Sequence, residues 1–195
     1  MLEIWEIWVS GGVVMIPLFA VAILLYAQAF QLVLYVRRTQ LDRRHEVQWW
    51  QWVRSPEKAR GRVAEIIRHT QDGASTSKQI RYRFDEVRSA LLALIDRRLR
   101  FIGTLVGAAP LLGLLGTVFG MLQTFFGIST GGGVETAGVV ASGISEALVT
   151  TQAGLTVALP GLFLAMMIQR QRHALEAQLA RLESLTLGHL KFADE

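Results

Sequence analysis

Three long apolar stretches organise the chain, and charged residues gather in the segments between them. The stretches cover residues 11–36, 101–128 and 137–168, and Glu146 is the single charged residue within them. A helix needs about 20 apolar residues to cross a bilayer, so each stretch is long enough to be a span. The pattern predicts an all-α integral membrane protein with three transmembrane helices in a lipid bilayer.

The largest connecting segment, residues 37–100, carries most of the charge, and its apolar positions recur at helical spacing. Ser55 and Pro56 are typical of a helix start, with the serine as the cap. Residues 72–75 (DGAS) are typical of a break between helices. The next helix is expected to run from near Lys78 without interruption into the second span, which would extend the membrane helices into a helical stalk.

The remaining segments are short. Residues 1–10 are expected to form an N-terminal lead whose tryptophans suit a membrane interface. Residues 129–136 contain three consecutive glycines and predict a loop. Residues 169–195 return to charged helical sequence and predict a C-terminal helix.

The distribution of basic residues predicts the topology. Every Lys and Arg lies between Arg37 and Arg100 or from Arg170 onward. Because cytoplasmic segments are enriched in Lys and Arg, the N-terminus and the 129–136 loop are expected on the outer side of the membrane. The 37–100 region and the C-terminal helix are then cytoplasmic, which makes a multi-pass protein with its N-terminus out and its C-terminus in.

Composition excludes several classes of function. The formal charge is +4 and the pI about 10, but the basic region also holds many acids. We therefore expect a solvated helical surface near anionic lipid, and no nucleic-acid partner. The chain has no Cys, its four His lack metal-ligand spacing, and no nucleophile–base pair is visible. The sequence predicts no enzyme activity, no metal site and no cofactor.

Small residues recur along one face of each of the last two spans. Steps of three and four residues place them on a common face of a helix, which allows close approach of helix backbones in lipid. We expect them to serve helix packing. The second span contributes Gly113, Gly116 and Gly120, and the third contributes Gly143, Ala147, Gly154, Ala158 and Gly161.

The polar residues inside these spans are the candidate site. Glu146 is ionisable and costly to bury, so it faces a cavity, a partner or the hydrated outer rim. Thr117, Thr150 and Thr151 either return their hydroxyls to the backbone one turn earlier or border a proton path. Hydroxyls alone do not hold a proton stably, and Glu146 lies toward the outer end of its span. A proton path would therefore need a titrating carboxylate from a second protein near mid-membrane.

Three motifs in these spans resemble the MotA/TolQ/ExbB proton-channel family. They are PLLGLLGTVFG at residues 110–120, ISEALVTT at 144–151 and GLTVALP at 154–160. The opening GGVVMIP at residues 11–17 and the three-span topology are similar to the ExbB and TolQ branch, not the four-span MotA branch. The resemblance is close over the last two spans, whereas the 37–100 region matches in length and charge only.

The resemblance implies a homopentamer in the bacterial inner membrane. Its second and third spans would line a pore that holds an ExbD-like single-span partner, which supplies a membrane aspartate. Proton flow would then drive a TonB-like protein and nutrient import across the outer membrane. Thr117 and Thr151 would take the positions of the family's pore threonines and Glu146 that of its third-span glutamate. Thr150 departs from the family pattern, so Thr151 ranks above it.

Two other readings stay open at this point. One is a TolQ-like subunit that serves the Tol-Pal envelope system. The other is a scaffold with a non-conducting interior, in which the small residues and the threonines serve packing alone.

Overall fold

A computed structural model describes residues 10–39, 48–59, 61–72, 76–130 and 134–193, and its regular structure over these ranges is helical. Three of the helices, which lie within residues 15–39, 77–130 and 134–193, are long and apolar enough to cross a membrane. The predicted all-helical class with three candidate spans is therefore confirmed. Within the described ranges the helices are α1 (Met15–Thr39), α2 (Trp49–Arg54), α3 (Gly61–Gln71), α4 (Ser77–Thr130) and α5 (Val134–Ala193), and a 3-10 turn covers Pro56–Lys58.

The long helices extend beyond the predicted spans. Helix α4 begins at Ser77 and continues through Pro110 to Thr130. Helix α5 begins at Val134, so both helices enter the stretch predicted as a loop, and residues 131–133 lie outside the described chain. Ordinary residues such as Thr and Val carry too small a helix penalty to end a helix, whereas glycine carries about 1 kcal/mol. The third predicted span and the predicted C-terminal helix are one continuous helix.

The helix start expected at Ser55 is only a single turn. The Ser55 side chain makes no capping hydrogen bond, and the 3-10 turn ends at Ala59, whose backbone is extended. Helix α3 begins at Gly61, where φ is +66°. A positive φ is accessible to glycine without strain, and the helix starts at this glycine and not at the proline. Most of the lead predicted over residues 1–10, and residues 73–75 of the predicted break, lie outside the described chain.

The chain divides into two compact units, of which the first is drawn from residues 1–31 and 99–166. Here the start of α1 packs against the last two spans through a small apolar core. The Tyr26 hydroxyl donates a hydrogen bond of 3.0 Å to the Val157 carbonyl, which ties α1 to α5. The core consists of Met15, Leu18, Ala109 and Ala158, with Val21, Leu112, Ala153 and Val157 packed around it.

The second unit, drawn from residues 32–98 and 167–195, combines an apolar core with ion pairs between α4 and α5. The Arg172 guanidinium donates to both carboxylate oxygens of Asp96, at 2.9 and 3.1 Å. Hydrogen bonding to Asp96 raises the pKa of Arg172. Arg88 pairs with Glu183 at 2.8 Å. The fully buried side chains here include Trp49, Ile67, Ile80, Phe84, Leu175 and Leu179.

Candidate functional site

The glycine stripes of α4 and α5 face each other within the chain, and at one crossing the two backbones touch. A Cβ atom placed on Gly154 would lie 2.8 Å from the Ala109 carbonyl oxygen and 3.2 Å from the Gly113 Cα. Real Cβ atoms do not approach other atoms below 3.0 Å, so only glycine fits at position 154. The helix pair is held by backbone contact, as small residues permit in lipid.

The same contact continues toward the C-terminal end of α4 and the N-terminal end of α5. A Cβ on Gly120 would lie 2.5 Å from the Gly143 carbonyl oxygen and 3.0 Å from the Ala147 Cβ. The space beside Gly116 is filled by the side chain of Thr150. Six of the eight residues predicted for helix packing therefore lie in the contact between α4 and α5: Gly113, Gly116, Gly120, Gly143, Ala147 and Gly154.

The other two predicted packing residues lie against α1. Ala158 is buried in the core beside Met15 and Leu18. A Cβ on Gly161 would lie 3.0 Å from Leu25 and 3.1 Å from Val106. The α5 stripe thus contacts α4 over most of its length and α1 near its end.

The two adjacent threonines of α5 have different surroundings. Thr150 is fully buried, and its hydroxyl donates to the Glu146 and Ala147 carbonyls of its own helix at 3.1 and 3.0 Å. Thr151 is half-buried. Its hydroxyl lies 3.2 Å from the Ala147 carbonyl and 3.4 Å from the Gly113 carbonyl of α4, so it bridges the two helices.

Thr117 lies on α4, one residue after Gly116 in the stripe, and is half-buried. Its hydroxyl donates to the Leu114 carbonyl of the same helix at 2.7 Å. In each of the three threonines the hydroxyl hydrogen is thus engaged by a backbone carbonyl. A hydroxyl oxygen also has two acceptor lone pairs, so each threonine can still accept a hydrogen bond from a proton-bearing group.

Glu146 lies against the turn that precedes α1. Its carboxylate occupies the space where a Cβ of Gly12 would stand, and Gly12 has a φ of +63°. The neighbouring Gly11 approaches Val149 of the same α5 face. Since the first N–H groups of a helix carry partial positive charge, a carboxylate suits a position beside the start of α1. The side chain is half-buried.

Two contacts in this region join residues that are far apart in the chain, and no local sequence pattern predicts them. Gly12 contacts Glu146 across 134 positions, and Tyr26 contacts Val157 across 131. Thr124 is buried and fills the space beside Gly143. Its place could have been found, because it continues the step of four from Gly116 and Gly120.

Comparison with known proteins identifies the family. Residues 57–181 match the model of the MotA/TolQ/ExbB proton channel family. The chain belongs to this family. The matched segment contains the hairpin formed by the second and third spans, residues 101–128 and 137–168, with Glu146 and the three threonines. The resemblance drawn from the sequence motifs is therefore confirmed.

Individual relatives point to the ExbB and TolQ branches of the family. The putative biopolymer transport protein ExbB-like 1 of Synechocystis is 32% identical over 88% of this chain and 71% of its own length. The biopolymer transport protein ExbB of Salmonella typhimurium is 30% identical over 59% of this chain and 47% of its own length. The Tol-Pal system protein TolQ of Haemophilus influenzae is 34% identical over 42% of this chain and 36% of its own length.

The chemistry available at the site is hydrogen bonding and proton acceptance. In the ranges that the structure describes, no group of three His, Asp or Glu residues is arranged to hold a metal ion. The hairpin offers the hydroxyl oxygens of Thr117 and Thr151 and the carboxylate of Glu146. The hydroxyls can accept hydrogen bonds and the carboxylate can bind a proton.

Proposed function

We propose that this chain is a proton-channel subunit of a TonB-type system in the bacterial inner membrane. With an ExbD-like partner, it would couple the proton motive force to TonB-dependent nutrient import across the outer membrane. The observation that carries the proposal is Thr151, a half-buried hydroxyl that bridges the two helices of the hairpin. Family membership over residues 57–181 supports the choice of the proton as the transported ion.

The arrangement of hydroxyls explains why a partner is needed. A threonine hydroxyl accepts a hydrogen bond but does not hold a proton stably at neutral pH. Glu146 lies beside Gly12, several residues from Thr151 along α5. A carboxylic acid on a partner helix could donate a hydrogen bond to the Thr151 oxygen, and on ionisation its proton would pass to water. The proposed ExbD-like aspartate would supply this titrating group, and the chain would supply its acceptors.

The proposed assembly is a homopentamer with its N-termini outside and its C-termini in the cytoplasm. Basic residues of the 37–100 and 169–195 segments support this orientation. A ring of identical subunits would enclose the partner span, so that each Thr151 presents the same acceptor to it. A TonB-like protein would receive the resulting force.

The first test replaces Thr151 by valine, which keeps the shape of the side chain and removes the hydroxyl. We expect Thr151→Val to leave the oligomer assembled and to abolish energy-dependent uptake. Thr150→Val is the matched control, since its hydroxyl is buried and bonded only within α5. We expect that variant to retain uptake. Normal uptake in Thr151→Val would contradict the proton path and favour the non-conducting scaffold.

Glu146→Ala provides a second variant in the same uptake assay. We expect assembly to persist and uptake to be lost, because the carboxylate beside the start of α1 would be absent. Native mass spectrometry of the purified complex checks assembly in each variant. Uptake at the level of the unmodified protein would remove Glu146 from the proposed pathway.

A TolQ-like role in envelope constriction is the second candidate. The match to the Haemophilus influenzae Tol-Pal protein, at 34% identity over 82 residues, favours it. Deletion in the native bacterium separates the two systems. Starvation for iron-siderophore complexes would support the TonB system, whereas detergent sensitivity with filamentous cells would support the Tol system. An adjacent gene for a small protein with one N-terminal span bearing an aspartate would support either energising role over a scaffold.

A further inference from the structure

A proline interrupts α5 inside the predicted third span. Pro160 has no N–H and cannot bond the Thr156 carbonyl one turn earlier, which its ring also crowds. The Thr156 hydroxyl donates to the Gln152 carbonyl at 2.8 Å, so it is engaged one turn further back. Hydrocarbon offers no water to such a turn, and membrane helices tolerate proline where neighbouring helices bond the freed backbone groups. The turn before Pro160 therefore requires a partner from another helix.

Helix α1 supplies a partner at this turn. The Tyr26 hydroxyl donates a hydrogen bond of 3.0 Å to the carbonyl of Val157, the residue that follows Thr156. Tyr26 and Val157 are both half-buried. Val157 is about 16 Å along α5 from residue 168, and Tyr26 is about 15 Å along α1 from residue 36, where the two apolar stretches end. The bond thus lies well inside the apolar stretch of each helix.

The preceding residue of α1 contacts α5 on the other side of the proline. A Cβ on Gly161, which directly follows Pro160, would lie 3.0 and 3.1 Å from the two terminal methyl carbons of Leu25. Leu25 is fully buried, so this methyl pair is held in place by its surroundings. Adjacent residues of α1 therefore contact α5 one turn apart, before and after Pro160.

We propose that Tyr26 is a positioning residue for the third span, whose hydroxyl bonds the α5 backbone at the turn that Pro160 interrupts and so fixes the direction of α5 beyond the proline. The segment before the proline is already fixed, because Gly154 touches the backbone of α4. Without the Tyr26 bond, the segment after the proline would bend more freely, since helices bend at proline. The proposal rests on the proposed function, because it gives the first span a part in holding the wall of the proton path.

Tyr26→Phe tests the bond, because phenylalanine keeps the ring and removes the hydroxyl. Carbon-13 at valine carbonyls and nitrogen-15 at alanine restrict solid-state NMR signals to valine–alanine pairs, which occur at residues 21–22, 63–64, 140–141 and 157–158. In lipid vesicles, we expect the Val157 carbonyl signal to shift and the signals of the 63–64 and 140–141 pairs to stay. Tyr35→Phe is the matched control, since it makes the same change about 14 Å further along α1. An unchanged Val157 signal in Tyr26→Phe would overturn the proposal.

A double-mutant cycle with Pro160→Ala tests whether the bond serves the proline turn. Alanine restores the N–H that the Thr156 carbonyl lacks. We expect Tyr26→Phe to raise the equilibrium constant of unfolding about three- to twentyfold when Pro160 is in place, the range for interhelical hydrogen bonds in lipid. Combined with Pro160→Ala, the same change is expected to have a smaller factor. Chemical unfolding in detergent measures all four proteins, and equal factors in the two backgrounds would make Tyr26 a packing residue and overturn the positioning role.

Uptake separates this proposal from the proposed function. We expect Tyr26→Phe to assemble and to lower the rate of energy-dependent uptake, and Tyr35→Phe to retain that rate. Uptake unchanged by Tyr26→Phe but abolished by Thr151→Val would overturn the positioning role and leave the proposed function standing. Uptake retained by Thr151→Val would overturn the proposed function, whereas a shifted Val157 signal and unequal unfolding factors would still support the positioning of α5 by Tyr26.

Discussion

At the scale of single residues, Gly12 is held by two independent constraints. Its φ of +63° lies in the left-handed region, where any side chain other than hydrogen is strained. The carboxylate of Glu146 also fills the space that a Cβ would need. Because Gly12 precedes α1 and Glu146 belongs to α5, this contact sets how the first span meets the third.

Gly12→Ala is therefore expected to destabilise the protein by about 1–2 kcal/mol or more through backbone strain alone, with displacement of Glu146 in addition. Thermal unfolding in mild detergent measures the change. Gly103→Ala is the control, since a Cβ there meets no atom within 4 Å. Equal melting temperatures for the two variants would show that the Gly12 contact does not constrain the fold.

The sequence could identify the polar residues of the hairpin but not their surroundings. Motif resemblance ranked Thr151 above Thr150, and the two residues differ in burial. The sequence does not decide whether Glu146 faces a cavity, a second protein or the hydrated rim. Its neighbour Gly12 is 134 positions away, and no local pattern reports a contact over that separation.

At the scale of elements, the contact between α4 and α5 depends on the absence of side chains. A methyl group on Gly154 would meet the Ala109 carbonyl oxygen at 2.8 Å. That oxygen belongs to the backbone and cannot move aside as a flexible side chain would. A larger side chain at Gly154 would therefore lower the free energy of unfolding, because α4 and α5 would have to separate along part of their length.

We expect Gly154→Ala to destabilise the hairpin by about 1–3 kcal/mol, the usual range for overpacking. Gly107→Ala on α4 is the matched control, because a Cβ at that position has open space. Chemical unfolding in detergent, followed by far-ultraviolet circular dichroism, measures both. A loss of stability in the control as large as that in Gly154→Ala would contradict the assignment.

The elements themselves were largely predictable, because spans depend on runs of apolar residues and stripes on helical periodicity. The face on which the small residues lie follows from steps of three and four. Whether that face meets another span of the chain or another copy does not follow from periodicity. The start expected at Ser55 also shows a limit, since a serine followed by proline gave one 3-10 turn and α3 began at Gly61.

At the scale of the whole molecule, the predicted orientation in the membrane can be tested at two exposed serines. Ser129 lies near the end of α4 and Ser184 on α5, and both side chains are exposed. The distribution of basic residues predicts that they lie on opposite sides of the membrane. The chain lacks Cys, so a single serine-to-cysteine change at either position gives an unambiguous label.

We expect an impermeant maleimide to label Ser129→Cys in spheroplasts and to label Ser184→Cys only after the membrane is opened. The physical reason is the retention of Lys- and Arg-rich segments in the cytoplasm. Labelling of both variants after permeabilisation is the control for accessibility of the thiols. Reaction of Ser184→Cys in intact spheroplasts would reverse the predicted orientation.

The backbone contact between Gly113 and Gly154 also fixes the register of the hairpin. Sliding one helix past the other by a single residue would shift it about 1.5 Å and turn its contact face by about 100°. Leu155 would then approach a surface that admits only glycine at position 154. In a thinner or thicker bilayer, we expect the two helices to tilt together and not to slide. The vertical offset between Thr117 and Thr151 is thus a constant of the protein, independent of the lipid around it.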